Sequence, residues 1–209
     1  PGYPTYTSVS NLVSAEIIPY DLTENSGWYP NLAELEKTDL TGVRLMWINY
    51  PHMPTGAAGS DELFKRLLSF AKKHQILLIN DNPYSFVLNQ NPKSILQFEG
   101  AKEVAIELNS LSKTYNIAGW RVGMVVGSKE ILTSILQVKS NMDSGMYFGI
   151  QQGAIAALNL PESWTTDMNS IYEKRRELVW KICDHLNCSY DKNSTGMFVW
   201  AKVPDGKSE

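Results

Sequence analysis

Short apolar runs alternate along this chain with longer amphipathic stretches, and this alternation limits the fold more than any other feature. The short runs predict strands at 15–22, 43–50, 76–81, 103–110, 121–127 and 196–203, and the longer stretches predict helices at 60–74, 128–142, 149–160 and 164–186. Strands that are joined through helices lie parallel in a sheet that is buried on both faces. The pattern therefore predicts an α/β fold, a three-layer αβα sandwich around a mainly parallel sheet.

The length of 209 residues suits one large domain, or one domain with part of another. A polar, turn-rich stretch, NCSYDKNST at 187–195, follows the last predicted helix. We therefore expect a large domain at 1–186 and the beginning of a smaller α+β domain at 187–209. The chain opens at Pro1 with PGYPTY and stops soon after an apolar run, so we expect it to be part of a longer protein.

Composition argues against several classes of partner. The formal net charge is −3 with no basic stripe, which predicts no binding to nucleic acid. No apolar run approaches the roughly 20 residues of a membrane span. The cysteines (Cys183, Cys188) and the histidines (His52, His74, His185) lack the spacing of a metal site. We expect no metal, free thiols, and a reducing, cytoplasmic location.

Polar residues follow several predicted strands at the point where each strand ends. Asn49 and Tyr50 end one strand, Asp81 ends another, and Ser110 ends a third, directly before Lys113. In parallel α/β sheets, ligands bind beyond the carboxyl ends of the strands. We therefore expect these side chains to form a ligand site.

The stretch SLSKTYNIAGWRVG at 110–123 carries the most specific chemistry. Its lysine, Lys113, can be a salt-bridge partner, a phosphate ligand or a nucleophile. Ser110, Ser112 and Arg121 can bind a phosphate, but the chain has no P-loop motif. A partly desolvated lysine beside a cation becomes a nucleophile toward aldehydes. This chemistry matches pyridoxal phosphate, which binds lysine as a Schiff base and needs an acid at its ring nitrogen. Asp81 is the candidate for that acid, although an aspartate after a strand can also simply cap a turn.

The same stretch resembles the pyridoxal-phosphate attachment signature of class I and II aminotransferases. PGYPTY, NYPHMPTG and DNPY resemble three further blocks of this family, in the same order, and the resemblance extends from Pro1 to about Val203. It implies the large domain of a fold type I enzyme that transfers an amino group between an amino acid, possibly of the aspartate type, and a 2-oxo acid. It also implies a homodimer in the intact protein.

The resemblance assigns roles to individual residues. It implies that Lys113 binds the cofactor covalently and moves the substrate proton, that Asp81 partners the ring nitrogen, and that Tyr84 donates to the 3′-oxygen of the cofactor. The other implied cofactor contacts are Ser110, Ser112 and Arg121 at the phosphate, and Tyr3 stacked on the ring.

The chain departs from the family pattern at Met53, where the family has an asparagine that bonds the 3′-oxygen. Methionine cannot donate this hydrogen bond. Either Tyr84 holds the oxygen alone, or Asn49 or another group substitutes, and we expect the pKa of the lysine-bound cofactor to rise. The neighbouring His52 is expected to lie in a surface turn.

Two other functions remain compatible with these residues. The same fold and site serve pyridoxal-phosphate-dependent C–S lyases and decarboxylases, and a domain that senses the cofactor without turnover would also need the lysine and the aspartate. In the family, a glycine-rich phosphate loop and an arginine that binds the substrate carboxylate belong to segments outside this chain. We therefore expect this stretch alone to be weakly active or inactive.

Overall fold

The main sheet has four strands in the order β1-β2-β3-β4. A computed structural model describes residues 1–206. The strands are β1 (Leu45–Ile48), β2 (Leu77–Asp81), β3 (Ala105–Ser110) and β4 (Gly123–Val126). The first three strands are parallel, and β4 is antiparallel to β3. This is the α/β class with a mainly parallel sheet that the sequence predicts.

Eight α-helices within residues 1–206 accompany this sheet. They are α1 (Thr5–Leu12), α2 (Leu32–Leu35), α3 (Asp61–His74), α4 (Ala101–Val104), α5 (Leu111–Thr114), α6 (Lys129–Met142), α7 (Phe148–Leu158) and α8 (Ser163–His185). Single 3₁₀ turns lie at Glu24–Ser26, Ile95–Gln97 and Ala118–Trp120, and two short strands, β5 (Ser189–Tyr190) and β6 (Ala201–Lys202), form a separate antiparallel pair. Among residues 1–206, no helix combines the length and the apolar character that a bilayer span requires.

Helix α3 connects β1 to β2 and forms much of the core. The hydroxyl of Ser60 accepts the Leu63 N–H at 3.0 Å and caps the helix. Acidic residues occupy the first turn and basic residues the last, as the helix dipole favours. On the buried face, Phe64 and Leu67 are at most 1% exposed and belong to one cluster with side chains of β1 and β2. This packing fixes the strands whose ends carry the predicted site.

A buried polar network connects β2, β3 and the segment that follows β1. The Tyr50 N–H donates to Asn80 Oδ1 at 3.1 Å, and Asn80 Nδ2 donates to Glu107 Oε2 at 3.0 Å. The Ile95 N–H donates to the same Glu107 oxygen at 3.1 Å. Because a buried carboxylate is costly without donors, these bonds are required for Glu107 to lie inside the protein.

Two predicted strands differ from the observed structure, and a third, β4, runs in a direction that the sequence did not specify. Residues 15–22 form no strand, and Ile17 and Ile18 are 39% and 38% exposed; an apolar run without a partner strand cannot make a ladder. The run at 196–203 contributes just the two residues of β6. Strand β4 runs back along β3 because the intervening α5 and 3₁₀ turn stay at one edge of the sheet and do not cross to the other.

The segment after α8 contacts the loop that follows β1. The Thr195 N–H and its hydroxyl both donate to the Gly56 carbonyl, at 2.8 and 2.9 Å. Arg176 Nη1 of α8 donates to the Ser194 carbonyl at 2.9 Å. Of the predicted second domain at 187–209, positions 207–209 lie outside the described residues, and its boundary stays a prediction.

Candidate active site

Strands β2, β3 and β4 bring the predicted site residues to one edge of the sheet. Asp81 is the last residue of β2 and pairs with Leu108 of β3. Ser110 ends β3 and pairs with Gly123, the first residue of β4. Because β4 is antiparallel, its beginning lies at the edge where β2 and β3 end, and Arg121 therefore lies beside Ser110 and α5.

The Asp81 carboxylate is held in a defined orientation. The Tyr6 hydroxyl donates to Asp81 Oδ2 at 2.8 Å, and the backbone carbonyl of Asp81 accepts the side-chain N–H of Asn49. Burial raises the pKa of Asp81, and the hydrogen bond from Tyr6 lowers it in part. Within residues 1–206 no hydrogen bond engages Oδ1, so this oxygen is available to a ligand.

Tyr6 is a site residue that the sequence analysis missed. Its ring stacks on Trp47, with centroids 4.8 Å apart and planes 11° apart, and Tyr3 meets it edge-on at 5.7 Å. Burial and the nearby Asp81 raise the pKa of Tyr6 far above its usual range, so its hydroxyl stays protonated and can donate. The available signal was the second tyrosine of PGYPTY, three residues after Tyr3; the Tyr6 N–H donates to the Tyr3 carbonyl at 3.2 Å, and this turn before α1 brings the two rings together.

Tyr84 lies three residues after Asp81 and is only 8% exposed. Burial, the Asp81 carboxylate and Tyr3 raise the pKa of Tyr84 to about 12, so the phenol is neutral at physiological pH. Phe198 packs edge-on against its ring at 5.6 Å. Tyr84 is therefore a buried hydroxyl donor close to Asp81, whereas Tyr3 remains 45% exposed.

The hydroxyls around the lysine also shape α5. Ser110 caps this short helix by accepting the Ser112 N–H at 3.1 Å, and Ser112 is 8% exposed. Lys113 is half-buried and forms no ion pair within the described part of the chain. Arg121 has a left-handed backbone (φ 56°), and its Nη1 donates to the Ala118 carbonyl at 2.9 Å. The edge thus offers an amine, a guanidinium and two hydroxyls.

Glycine is required where β4 begins. A Cβ atom on Gly123 would lie 2.9 Å from the Asn109 carbonyl oxygen, closer than side chains tolerate. The absence of this atom lets β4 approach β3 and brings Arg121 close to Ser110.

The segment that contains Met53 is fixed by Asn49. Asn49 Oδ1 accepts the Met53 N–H at 2.8 Å while its amide nitrogen donates to Asp81. These two bonds fix the orientation of the Asn49 amide and leave one N–H of its nitrogen, so Asn49 remains a candidate substitute for the missing family asparagine.

His52 was expected in a surface turn, and this expectation is wrong. The residue is 4% exposed, and its Nδ1 lies 2.7 Å from Thr55 Oγ1. Burial lowers the pKa of His52 to about 4, so the ring is neutral at physiological pH. Over residues 1–206, no cluster of three or more His, Cys, Asp or Glu side chains is arranged to hold a metal ion.

The structure is an α/β fold in which Asp81, Ser110 and Lys113 lie at or just beyond the carboxyl ends of parallel strands. The family model for class I and II aminotransferases matches residues 1–208. The chain belongs to this aminotransferase family.

Named relatives and solved structures agree with this assignment. The LL-diaminopimelate aminotransferases of Halothermothrix orenii and Aquifex aeolicus are 38% and 36% identical over 208 residues, which are 99% of this chain and 54% of each relative. Substrate-bound BacF from Bacillus subtilis matches with a TM-score of 0.94 and 35% identity, over 100% of this chain and 53% of that one. A probable N-succinyldiaminopimelate aminotransferase from Thermus thermophilus matches with a TM-score of 0.90 and 30% identity, over 99% of this chain and 55% of that one. The chain spans about half the length of these proteins.

Proposed function

We propose that this chain forms the cofactor-binding part of a pyridoxal-phosphate-dependent aminotransferase. The observation that carries the proposal is the placement of Lys113 and Asp81 beyond adjacent strands, with one Asp81 oxygen bonded to Tyr6 and the other available. Family membership supports the same conclusion, since the curated relatives named above are aminotransferases.

The residues of the site fit pyridoxal phosphate group by group. Lys113 offers an amine for the aldehyde carbon, Asp81 Oδ1 an acceptor for the ring nitrogen, and Tyr84 a neutral hydroxyl for the ring oxygen. The phosphate would be held by Ser110, Ser112 and Arg121, and Tyr3 would cover one face of the ring. When bound, the pyridine ring withdraws electrons from the substrate Cα and weakens its C–H bond.

The protein's own groups hold and move the protons. Asp81, fixed by Tyr6, would keep a proton on the ring nitrogen, because a carboxylate beside a cation favours the charged pair. Lys113 Nζ would accept the proton that leaves the substrate Cα and would deliver it to the cofactor carbon C4′. Tyr84, with its pKa raised to about 12, would donate a hydrogen bond without losing its own proton.

The substrates would be an amino acid and a 2-oxo acid. The relatives are named LL-diaminopimelate aminotransferases, so we propose to test LL-diaminopimelate and an aspartate-type amino acid as amino donors. We also propose a cytoplasmic homodimer for the intact protein, on the basis of family resemblance.

Absorbance spectroscopy of the full-length protein with added pyridoxal phosphate tests the proposal. We expect a visible band from the lysine-bound cofactor, lost in Lys113→Ala and kept in Lys139→Ala, which changes an exposed lysine paired with Asp143. Addition of an amino acid should convert the cofactor to its amine form and release a 2-oxo acid. A wild-type protein without the band would contradict the proposal, and release of ammonia with pyruvate would favour a lyase.

A further inference from the structure

Tyr84 begins a tight loop whose backbone is strained. The Val87 N–H donates to the Tyr84 carbonyl at 3.0 Å and closes the turn. The next residue, Leu88, has a left-handed backbone with φ 47°. This conformation is unfavourable for any residue other than glycine and persists only where neighbouring groups stabilise it.

The side chain of Asn169, on helix α8, supplies this stabilisation. Its Oδ1 accepts the Leu88 N–H at 2.8 Å, and its Nδ2 donates to the Phe86 carbonyl at 3.0 Å. One amide group thus bonds the N–H of the strained residue and the carbonyl two residues before it, across about 80 positions of sequence. Neither bond is part of a helix or a sheet. The Leu88 N–H and the Phe86 carbonyl are therefore both bonded by this one side chain.

Helix α8 also contacts the segment that carries the lysine. Trp164 Nε1 donates to the Thr114 carbonyl at 3.0 Å, and the Tyr172 hydroxyl donates to Asn116 Oδ1 at 2.8 Å. Thr114 directly follows Lys113. Helix α8 therefore bonds the segment that follows Lys113 and the loop that follows Tyr84. Its contact with the Tyr84 loop is made by Asn169.

We propose that Asn169 is a positioning residue for Tyr84, which it holds in place by fixing the left-handed backbone at Leu88. This role rests on the proposed function, because Tyr84 has a defined partner only when the cofactor is bound. The proposal predicts two separate effects, one on the loop itself and one on the bound cofactor.

Hydrogen exchange in the cofactor-free, full-length protein measures the first effect. We expect Asn169→Ala to accelerate exchange of the Leu88 amide at least about tenfold, the loss of one hydrogen bond. Asn169→Asp keeps the acceptor for the Leu88 N–H but loses the donor to the Phe86 carbonyl, so exchange should accelerate measurably but less than in Asn169→Ala. Ser170→Ala is the matched control on the same helix, because its hydroxyl bonds within the helix to Asp167. Unchanged exchange of the Leu88 amide in Asn169→Ala would overturn the proposal. If the alanine variant does not fold, Asn169→Asp decides the question, because loss of the Phe86 bond alone should accelerate this exchange measurably. Exchange at the wild-type rate in Asn169→Asp would then overturn the proposal.

The pH titration of the lysine-bound cofactor band measures the second effect. We expect Asn169→Ala to shift the midpoint in the same direction as Tyr84→Phe, and the double variant to shift it no further than Tyr84→Phe alone. Additive shifts, or a midpoint that stays at the wild-type value while Leu88 exchange accelerates, would overturn the positioning role. Absence of the band in the wild type would instead refute the proposed function, and the positioning role with it, while the exchange measurement would still report on the loop.

Discussion

Replacing Tyr6 with phenylalanine removes one hydroxyl and keeps the ring that stacks on Trp47. In the wild type this hydroxyl donates to Asp81 Oδ2 at 2.8 Å, and hydrogen bonds to charged groups contribute about 1.5–3 kcal/mol. We expect Tyr6→Phe to lower the free energy of unfolding of the cofactor-free protein by about that amount where Asp81 is ionised. Where Asp81 is protonated the bond joins neutral groups, and the loss should fall to about 1 kcal/mol.

The sign of the pH dependence follows from Asp81. Burial raises the pKa of Asp81, and the Tyr6 hydrogen bond opposes this rise. An acid whose pKa is raised by folding makes the protein less stable as the pH rises from the unfolded pKa through the folded one. Because the Tyr6 hydroxyl limits that loss, the difference in stability between wild type and variant should grow with pH over this interval.

Urea unfolding at a series of pH values measures this difference. Tyr29→Phe is the matched control, because the Tyr29 hydroxyl donates to the uncharged Ala58 carbonyl at 2.7 Å and its loss should cost the same at every pH. If Tyr6→Phe shows an equally constant cost, the hydroxyl does not interact with the Asp81 charge and the reasoning is refuted.

Four further substitutions test other parts of the structure. Burial lowers the pKa of His52 to about 4, so the protein should become less stable as the pH falls from about 6.5 to about 4, because only the unfolded chain takes up the proton. In unfolding curves of His52→Gln, stability should depend less on pH over this interval. The same pH dependence as in the wild type would contradict this. Gly123→Ala should cost about 1–3 kcal/mol in chemical unfolding, because the new methyl group meets the Asn109 carbonyl. Gly119→Ala, where nothing lies within 4 Å, should stay within about 0.5 kcal/mol, and equal costs at both glycines would disprove the clash. Leu67→Ala should lower the free energy of unfolding by about 2–5 kcal/mol, since the residue is fully buried; a loss below about 1 kcal/mol would mean that the α3 core is not packed as described.

Local patterns in the sequence predicted much of this architecture. Helix α3 begins after Ser60 and ends at His74 as expected, because the capping residue and the charge distribution are local signals. Asp81 and Ser110 end their strands, because an apolar run that stops at a polar residue marks the point where burial ends.

The remaining features depend on contacts between distant parts of the chain. Tyr6 meets Asp81 across 75 positions of sequence, and no local pattern encodes that distance. The burial of His52 comes from elements packed around it, which override the turn-like character of its neighbours. The direction of β4 depends on where α5 lies, and the isolated run at 15–22 shows that apolar residues alone do not make a strand.

The buried network of Asn80 and Glu107 also determines how the strands can slide past one another. A shift of β2 by one residue would turn Asn80 to the opposite face of the sheet and would leave the Glu107 carboxylate without its amide donor. A packed core of aliphatic side chains would tolerate such a slip more readily than an unpaired buried charge. The network therefore fixes the register of β2 against β3. In that register Asp81, at the end of β2, pairs with Leu108 of β3, the strand that leads to Lys113.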